Sequence, residues 1–471
     1  MTGTLDNSCT LKQTTSRCPA CYAPCPASVV KRDGKVFLER ECAVHGEFSA
    51  CLASDARFYW LALGDEKNRN GSCCAGGSCC SADGETAGTL GKNAAGRGDN
   101  PIETLSTCLA LIEIVNSCNL ACPTCYADSP VGIGPKVDAV PLDEIKARVQ
   151  GVIDRKGGIE ILQLSGGEPT MHPQLFELCA WLKQHPKIDF VLLNTNGVLL
   201  AKDPQFARQI MDAFAGDGIQ LYLQFDGTQS AGQKELRGAD LREMKLRAIE
   251  NCAAAKLPIT LAMTVTHDNI ASLGDAVRFG LGHEIIQGIT LQPVFGSGRG
   301  QVGRQPLPIL QIESGQGLST HFDRLNTADI LISLVEQSHD LIRFQDFTPL
   351  PCGDPNCATI GYLMRRGSKV WPVSDFLDFS KLQGFLHDKI HYTLADLARC
   401  GCDNTELGDL LRTLEATESN AFRIMVKPFM DAWTWDQDRI DRCCTHVIRP
   451  DGQLDSFCRY YSGFPDTKVT L

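Results

Sequence analysis

The chain reads as an α/β protein built around a partial (β/α)6 TIM-like barrel, with a small N-terminal metal-binding hairpin domain and a C-terminal cysteine-rich region. Three observations carry this reading. Six mostly apolar runs alternate with helical stretches between residues 109 and 293, the pattern of a parallel sheet covered by helices. A tight group of cysteines flanks a hairpin signal near the N-terminus. A second group of cysteines is spread over the residues after 350. At 471 residues the chain exceeds one ordinary compact core, so divisions are expected at 1–61, 62–104, 105–295 and 296–471.

In the first division Asp33-Gly34 sits between two strand-like runs, 27–31 and 35–40, and Asp-Gly in that position signals a hairpin. Cys18-Pro-Ala-Cys21 precedes the hairpin and Cys42-Ala-Val-His45-Gly46 follows it. Paired ligands at both ends suit one tetrahedral metal, Zn or Fe, as in zinc ribbons and rubredoxin-type knuckles. Cys18, Cys21 and Cys42 are the firmest ligands, while His45, Cys25 and Cys51 compete for the fourth place. Residues 62–104 have the Gly, Ser, Asn and Ala of a linker, and hold Cys73-Cys74 and Cys79-Cys80 without a scaffold to fix a cluster.

In the barrel, strands are expected at 109–115, 159–164, 190–194, 219–225, 259–265 and 286–292, and helices at 142–155, 174–184, 204–214, 235–255 and 270–281. Active sites of such barrels form at the C-terminal ends of the strands. Strand one is followed by Cys118-Asn-Leu-Ala-Cys122-Pro-Thr-Cys125-Tyr126. Three thiolates on one compact loop leave one iron of a [4Fe–4S] cluster open, where four cysteines are usual. The plainer alternative is a structural zinc site, or a cluster completed by a distant cysteine. After strand two, Ser165-Gly166-Gly167-Glu168-Pro169 combines glycines that let backbone approach a ligand with a carboxylate that can pair with an ammonium. Asn196, Gln224, Arg237, Thr264, Thr266 and Gln292 add polar groups at or near later strand ends.

Residues 296–320 read as a loop over the barrel mouth. Beyond it lie Cys352, Cys357, Cys400, Cys402, Cys443, Cys444 and Cys458, enough thiolates for an auxiliary [4Fe–4S] cluster. Its expected ligands are Cys352, Cys357, one of Cys443 or Cys444 (with Cys444 taken), and Cys458; spacing does not separate zinc from iron. Cys108, Cys179 and Cys252 read as buried apolar thiols.

The three-cysteine run, followed one β/α unit later by Gly-Gly-Glu, resembles the radical S-adenosylmethionine (SAM) superfamily. That resemblance implies a cluster on Cys118, Cys122 and Cys125 that binds SAM at its open iron, with Tyr126 packed beside both. It implies that Gly166, Gly167 and Glu168 receive the methionine ammonium and that Asn196 and Gln224 supply ribose and carboxylate contacts. It further implies that Arg237 pairs with the cofactor carboxylate, that Thr266 adds a contact at strand five and that Gln292 lies near the adenine. Along most of its length the chain is similar to the branch that holds the archaeal tetraether lipid synthases. The shared features are Cys-Pro-x-Cys with Cys-x-x-His-Gly, the barrel, Pro-Cys-Gly-x-Pro-x-Cys, and Cys-x-His followed by Asp-Gly and Phe-Cys. That likeness implies lipid biosynthesis, in which a 5′-deoxyadenosyl radical takes hydrogen from a lipid chain terminus and two chains are joined carbon to carbon. The Cys73 to Cys80 insertion is foreign to that branch, and nothing in the residues shows a lipid tunnel.

Modification of a peptide and methyl transfer to a small molecule keep the same core. No Asp-x-His-x-x-Gly segment is present, which weighs against cobalamin-dependent methylation. A non-enzymatic metal-binding or redox-sensing protein is the reading of another class, and the Gly-Gly-Glu at strand two speaks against it.

A net charge of −11 and a pI near 5.4 argue against docking on nucleic acid or on an anionic membrane. No apolar run reaches the roughly 20 residues of a membrane span, and 1–17 lacks an apolar signal region. A cytoplasmic protein is expected, in which a content of 23 cysteines points to metal ligation rather than disulfides. The implied partners are a reducing electron donor of flavodoxin or ferredoxin type and a lipid or other organic substrate. The stretch 421–430 is amphipathic, a pattern shared by core-facing elements and by segments that make peripheral membrane contact.

Overall fold

The structure is a computed structural model that describes residues 8–61, 102, 105, 107–300, 310–314, 317–322, 324–350, 353–367, 369–375 and 420–464. The expectations placed on Cys73 to Cys80, Cys352, Cys400 and Cys402 lie outside these residues.

The N-terminal unit is a meander of β1 (Cys9–Arg17), β2 (Pro24–Arg32), β3 (Lys35–Cys42) and β4 (Gly46–Ala53), closed by helix α1 (Ala56–Leu61). The expected hairpin is β2 with β3, turning at Asp33-Gly34 where both residues have positive φ. Val29, Val36, Leu38 and Ala50 alternate along the strands and are wholly or almost wholly buried.

The barrel runs through β5 (Leu109–Val115), β6 (Ile159–Gly166), β7 (Ile188–Thr195), β8 (Ile219–Gln224), β9 (Ile259–Val265) and β10 (Ile286–Pro293), all parallel and in sequential order. Around them lie α2 (Leu142–Lys156), α3 (Leu175–Gln184), α4 (Val198–Lys202), α5 (Pro204–Ala213), α6 (Gln233–Arg237), α7 (Arg242–Ala255) and α8 (Leu273–Leu281). Helix α2 shows why these residues are helical. Asp143 and Glu144 sit in its first turn, Arg155 and Lys156 in its last, and Ile145, Val149, Val152 and Ile153 form its buried face. The single helix expected at 235–255 is divided into α6 and α7, because Gly238 ends α6 with a left-handed residue.

The region after 295 differs most from expectation. Within 296–320, β11 (Leu310–Ser314) and β12 (Gly317–Phe322) form a hairpin, and β12 pairs with β4 of the N-terminal sheet. The open edge of β4 offers unpaired backbone groups, and β12 satisfies them. After helix α9 (Thr327–Gln337) come β13 (Phe347–Pro349), β14 (Thr359–Arg366), β15 (Lys369–Pro372), β16 (Ala421–Val426), helix α10 (Gln437–Asp441), β17 (Thr445–Ile448), β18 (Leu454–Ser456) and helix α11 (Phe457–Tyr461).

Strand β16 pairs parallel to β10, and β17 pairs parallel to β5. The C-terminal region therefore extends the barrel sheet at both edges. The amphipathic stretch 421–430 is largely this wall strand: Phe422, Ile424 and Val426 are buried outward, so its apolar face meets the protein core rather than a membrane. Across the seam between β16 and β17, Lys427 Nζ donates to Thr445 Oγ1 at 3.2 Å. No helix among the described residues is long and apolar enough to cross a membrane.

Candidate active site and metal centres

The inward faces of the eight parallel strands enclose a cavity of about 300 Å³ that reaches from Leu109, Gln220 and Thr260 near the strand starts to the 118–127 loop at their ends. Cys118, Cys122, Cys125, Tyr126, Gly166, Gly167, Glu168, Asn196, Gln224, Arg237, Thr264 and Gln292 all line it. Thr266 does not: its backbone N–H donates to Asn269 Oδ1 in the turn after β9, one residue pair beyond the wall where Thr264 stands.

The three-cysteine loop is held against the Gly-Gly-Glu strand end by backbone. Gly167 N donates to Val115 O at 2.6 Å and Glu168 N to Ser117 O at 3.0 Å. A Cβ on Gly166 would stand 2.2 Å from Val115 O, and one on Gly167 would stand 2.0 Å from Ser117 O. The paired glycines thus admit the cluster loop itself, a closer partner than the ligand expected from sequence.

Glu168 is buried and heavily engaged. Its Oε1 accepts from Thr170 N, Thr170 Oγ1 and Thr195 Oγ1, and its Oε2 accepts from Asn196 N at 2.8 Å. Burial pushes its carboxyl above the ordinary value although all these bonds favour the charged form. Oε2 keeps capacity for one further donor.

On the far wall, Arg237 makes a bidentate pair with Asp226, Nε to Oδ2 at 2.6 Å and an Nη to Oδ1 at 2.9 Å, and also donates to Thr264 Oγ1. Gln224 and the Thr264 backbone donate to the same carboxylate. Burial opposes the charge on Asp226, yet Arg237 holds its carboxyl below the usual range.

Burial pushes the Cys118 thiol up to about 12 and also raises Cys122, which Arg237 partly offsets. Such thiols ionise only with a strong local cation, the condition a bound cluster provides. Donors are already aimed at Cys118: Leu120 N lies 3.4 Å and Asn196 Nδ2 3.7 Å from its sulfur. The donor set fits an iron–sulfur cluster.

Sequence reading missed Lys245. It is 1 % exposed on α7, donates to Asn196 O and to Gln224 Oε1, and burial pulls it down to about 8. The available signal was its spacing from Ala248, Ile249 and Cys252, which places a lysine on the apolar face of the helix.

The N-terminal candidates also converge. Cys18, Cys21, Cys42 and His45 bring their ligand atoms within 4.8 Å of one another. Cys18 and Cys42 sulfurs lie 3.7 and 3.6 Å from His45 Nδ1, and Cys21 Sγ lies 3.9 Å from Cys42 Sγ. These are edge lengths of a tetrahedron with metal–sulfur bonds of about 2.3 Å. His45 takes the fourth place. Buried Cys25 stands beside the quartet, its thiol raised by burial and by Cys42, and Cys51 is on β4 outside it. Arg40 fastens this unit to the barrel by donating to the carbonyls of Trp433 and Ala432.

Of the C-terminal thiols, Cys357, Cys443 and Cys458 share one buried region. Burial raises Cys443 well above the ordinary value, and Cys357, Cys444 and Cys458 add to the rise. Arg439 lies 3.7 Å from Cys357 Sγ and Met430 N 3.4 Å from Cys458 Sγ. Cys444 packs instead with Cys108, Leu350, Ala358 and Ile360, against the segment that begins at Gly353. Cys108, Cys179 and Cys252 are buried, as expected.

Residues 112–280 match the family model described as the radical SAM superfamily. The chain is a radical SAM enzyme. Residues 10–54 match the HMPTM N-terminal zinc ribbon domain, the unit that carries the quartet. The radical SAM chain is 26% identical over 517 aligned positions to 7,8-dihydro-6-hydroxymethylpterin dimethyltransferase of Methanocaldococcus jannaschii, covering 95% of this chain and 93% of that one. It is 31% identical over 166 residues to the mycofactocin maturase MftC of Mycobacterium ulcerans, covering 35% of this chain and 41% of the relative. Among solved structures, SuiB of Streptococcus suis aligns with a TM-score of 0.39 and 14% identity, over 78% of this chain and 64% of that one.

Proposed function

We propose that this radical SAM enzyme functionalises a C–H bond of a small, planar, hydrogen-bonding heterocycle, and that methyl transfer to a reduced pterin is its reaction. The observation that carries this is the set of hydrogen-bonding side chains built into the largely apolar wall of the barrel. Gln163 donates to Asn194, Asn194 to Ser165, and Gln292 to Tyr222 OH, all on the cavity wall. Amide side chains offer paired donors and acceptors, the complement of a pterin's ring edge. Joining lipid chain ends, the finer expectation from resemblance, calls instead for an uninterrupted apolar bore, and the largely apolar wall of this one is broken by amides, a tyrosine and three cations. The relative that spans nearly the whole chain is named for a pterin substrate, which supports the same choice.

With a [4Fe–4S] cluster and SAM bound, the site is supplied with a 5′-deoxyadenosyl radical strong enough to take hydrogen from an unactivated C–H bond. Cys118, Cys122 and Cys125 would hold the cluster. Glu168 Oε2 would receive the ammonium of SAM, and Asn196, Gln224 and the Asp226–Arg237 pair would fix its ribose and carboxylate. Tyr126 packs on Phe457 and Tyr461 beside the cysteine loop. A low-potential donor of flavodoxin or ferredoxin type would supply electrons.

The test is anaerobic reconstitution with iron and sulfide, then incubation with SAM, dithionite and 7,8-dihydro-6-hydroxymethylpterin. The expected result is a pterin heavier by one or two methyl groups, with one 5′-deoxyadenosine and one S-adenosylhomocysteine released per methyl: one SAM supplies the radical that removes the hydrogen, a second gives the methyl, and dithionite supplies the two electrons. Unchanged pterin, with deoxyadenosine released at the same rate in its absence, would overturn the substrate.

A further inference from the structure

We propose that Arg423 forms an oxyanion subsite inside the barrel, so that the substrate carries a phosphate or similar anionic group held away from the radical end of the cavity. This rests on the pterin reading for the identity of the rest of the molecule, and on the geometry of β16 for the subsite.

Strand β16 alternates. Phe422, Ile424 and Val426 point to the outer core, which turns Arg423, Met425 and Lys427 to the cavity. Arg423 is brought deep into the bore because β10 admits β16 closely at Gly288, where a Cβ would stand 2.6 Å from Arg423 O. At that level the guanidinium meets a neutral surface. One Nη donates to Gln220 Oε1 at 3.1 Å, and Gln220 is held in turn by donating to Gln287 Oε1 at 2.8 Å. Arg423 makes no ion pair among the described residues, although a guanidinium has five N–H donors in a fork matched to carboxylate or phosphate.

The charge balance of the whole cavity points the same way. Among the described lining residues Glu168 is the one carboxylate, and it belongs to the mouth. Arg237, Arg423 and Lys427 also line the wall, and Arg237 is matched by Asp226 behind it. A cation lodged at the end of a cavity away from its one carboxylate is costly unless a ligand supplies the anion. The register separates the two ends: Arg423 lies opposite Gly288 near the start of β10, while the three cysteines sit beyond the end of β5. An anion on Arg423 would therefore anchor the substrate with its distal portion directed at the SAM end. In a pterin alcohol the simplest such anion is the phosphate ester.

Equilibrium binding to the reconstituted protein tests this, with three probes: pyrophosphate, 7,8-dihydro-6-hydroxymethylpterin, and its phosphate ester. Wild type should bind pyrophosphate and should prefer the ester to the alcohol by about tenfold or more. Arg423→Gln should lose both effects, and Arg423→Lys should keep part of each; iron content and circular dichroism serve as the folding controls. Pyrophosphate binding equal in wild type and Arg423→Gln, or no ester preference in wild type, would overturn the subsite even if the alcohol is methylated. Pyrophosphate binding that depends on Arg423 in a protein that turns over neither pterin would uphold the subsite and overturn the pterin.

Discussion

The two best-defined cysteine sites are built on opposite plans. At the N-terminus Cys18, Cys21, Cys42 and His45 converge from both ends of a hairpin to distances that already describe a tetrahedron. On the barrel loop Cys118, Cys122 and Cys125 come from one short segment and open onto the cavity. Closed four-ligand sites are structural, and sites that keep a coordination position open are chemical. The difference teaches that ligand number and access, rather than cysteine count, separate the centre that holds the fold from the centre that works.

The largest effect that sharpens this contrast is expected from Cys118→Ala/Cys122→Ala/Cys125→Ala. 5′-Deoxyadenosine release should vanish while the metal at the N-terminal quartet stays, as read by elemental analysis. Next comes the wall of the open site. Asp226→Asn leaves Arg237 buried without its anion, which costs about 3–5 kcal/mol, visible as a lower urea midpoint together with a raised KM for SAM. At the closed site, Cys42→Ser should release the N-terminal metal and lower the melting temperature, yet change deoxyadenosine release by less than about tenfold. A loss as steep as that of the triple variant would break the contrast.

The smallest effect is a pH dependence. Lys245 titrates near 8 when folded and at about 10.4 unfolded, so between those values the unfolded chain holds more protons. Stability should therefore rise with pH across that window, and below it the buried charge is a constant penalty. Lys245→Met should flatten that rise in urea titrations run at pH 8 and 10.

Much of the catalytic half was legible because its signals are local. Apolar runs at β/α spacing marked β5 to β10 nearly to the residue, and the cysteine loop and Gly166-Gly167-Glu168 fell at strand ends where barrels place their chemistry. The substrate half was not legible. Nothing in the sequence around 421–430 says which sheet edge it joins, since pairing with β10 is decided by a long-range fit at Gly288. Arg423 and Lys245 were hidden for the same reason: each is a charged residue on a face that only tertiary packing turns inward. The choice between His45, Cys25 and Cys51 likewise needed the fold, because all three lie within reach along the chain.

The completion of the barrel by β16 and β17 also has a timetable. Roughly 130 residues separate the end of β10 from the start of β16, so at ordinary synthesis rates the six-strand arc exists on the order of ten seconds before its outer walls can be added. During that interval both edges of the arc are bare, and the cysteine loop faces solvent on an unfinished trough rather than a closed bore. A cysteine loop on an open trough is more accessible to an incoming iron centre than one inside the closed bore.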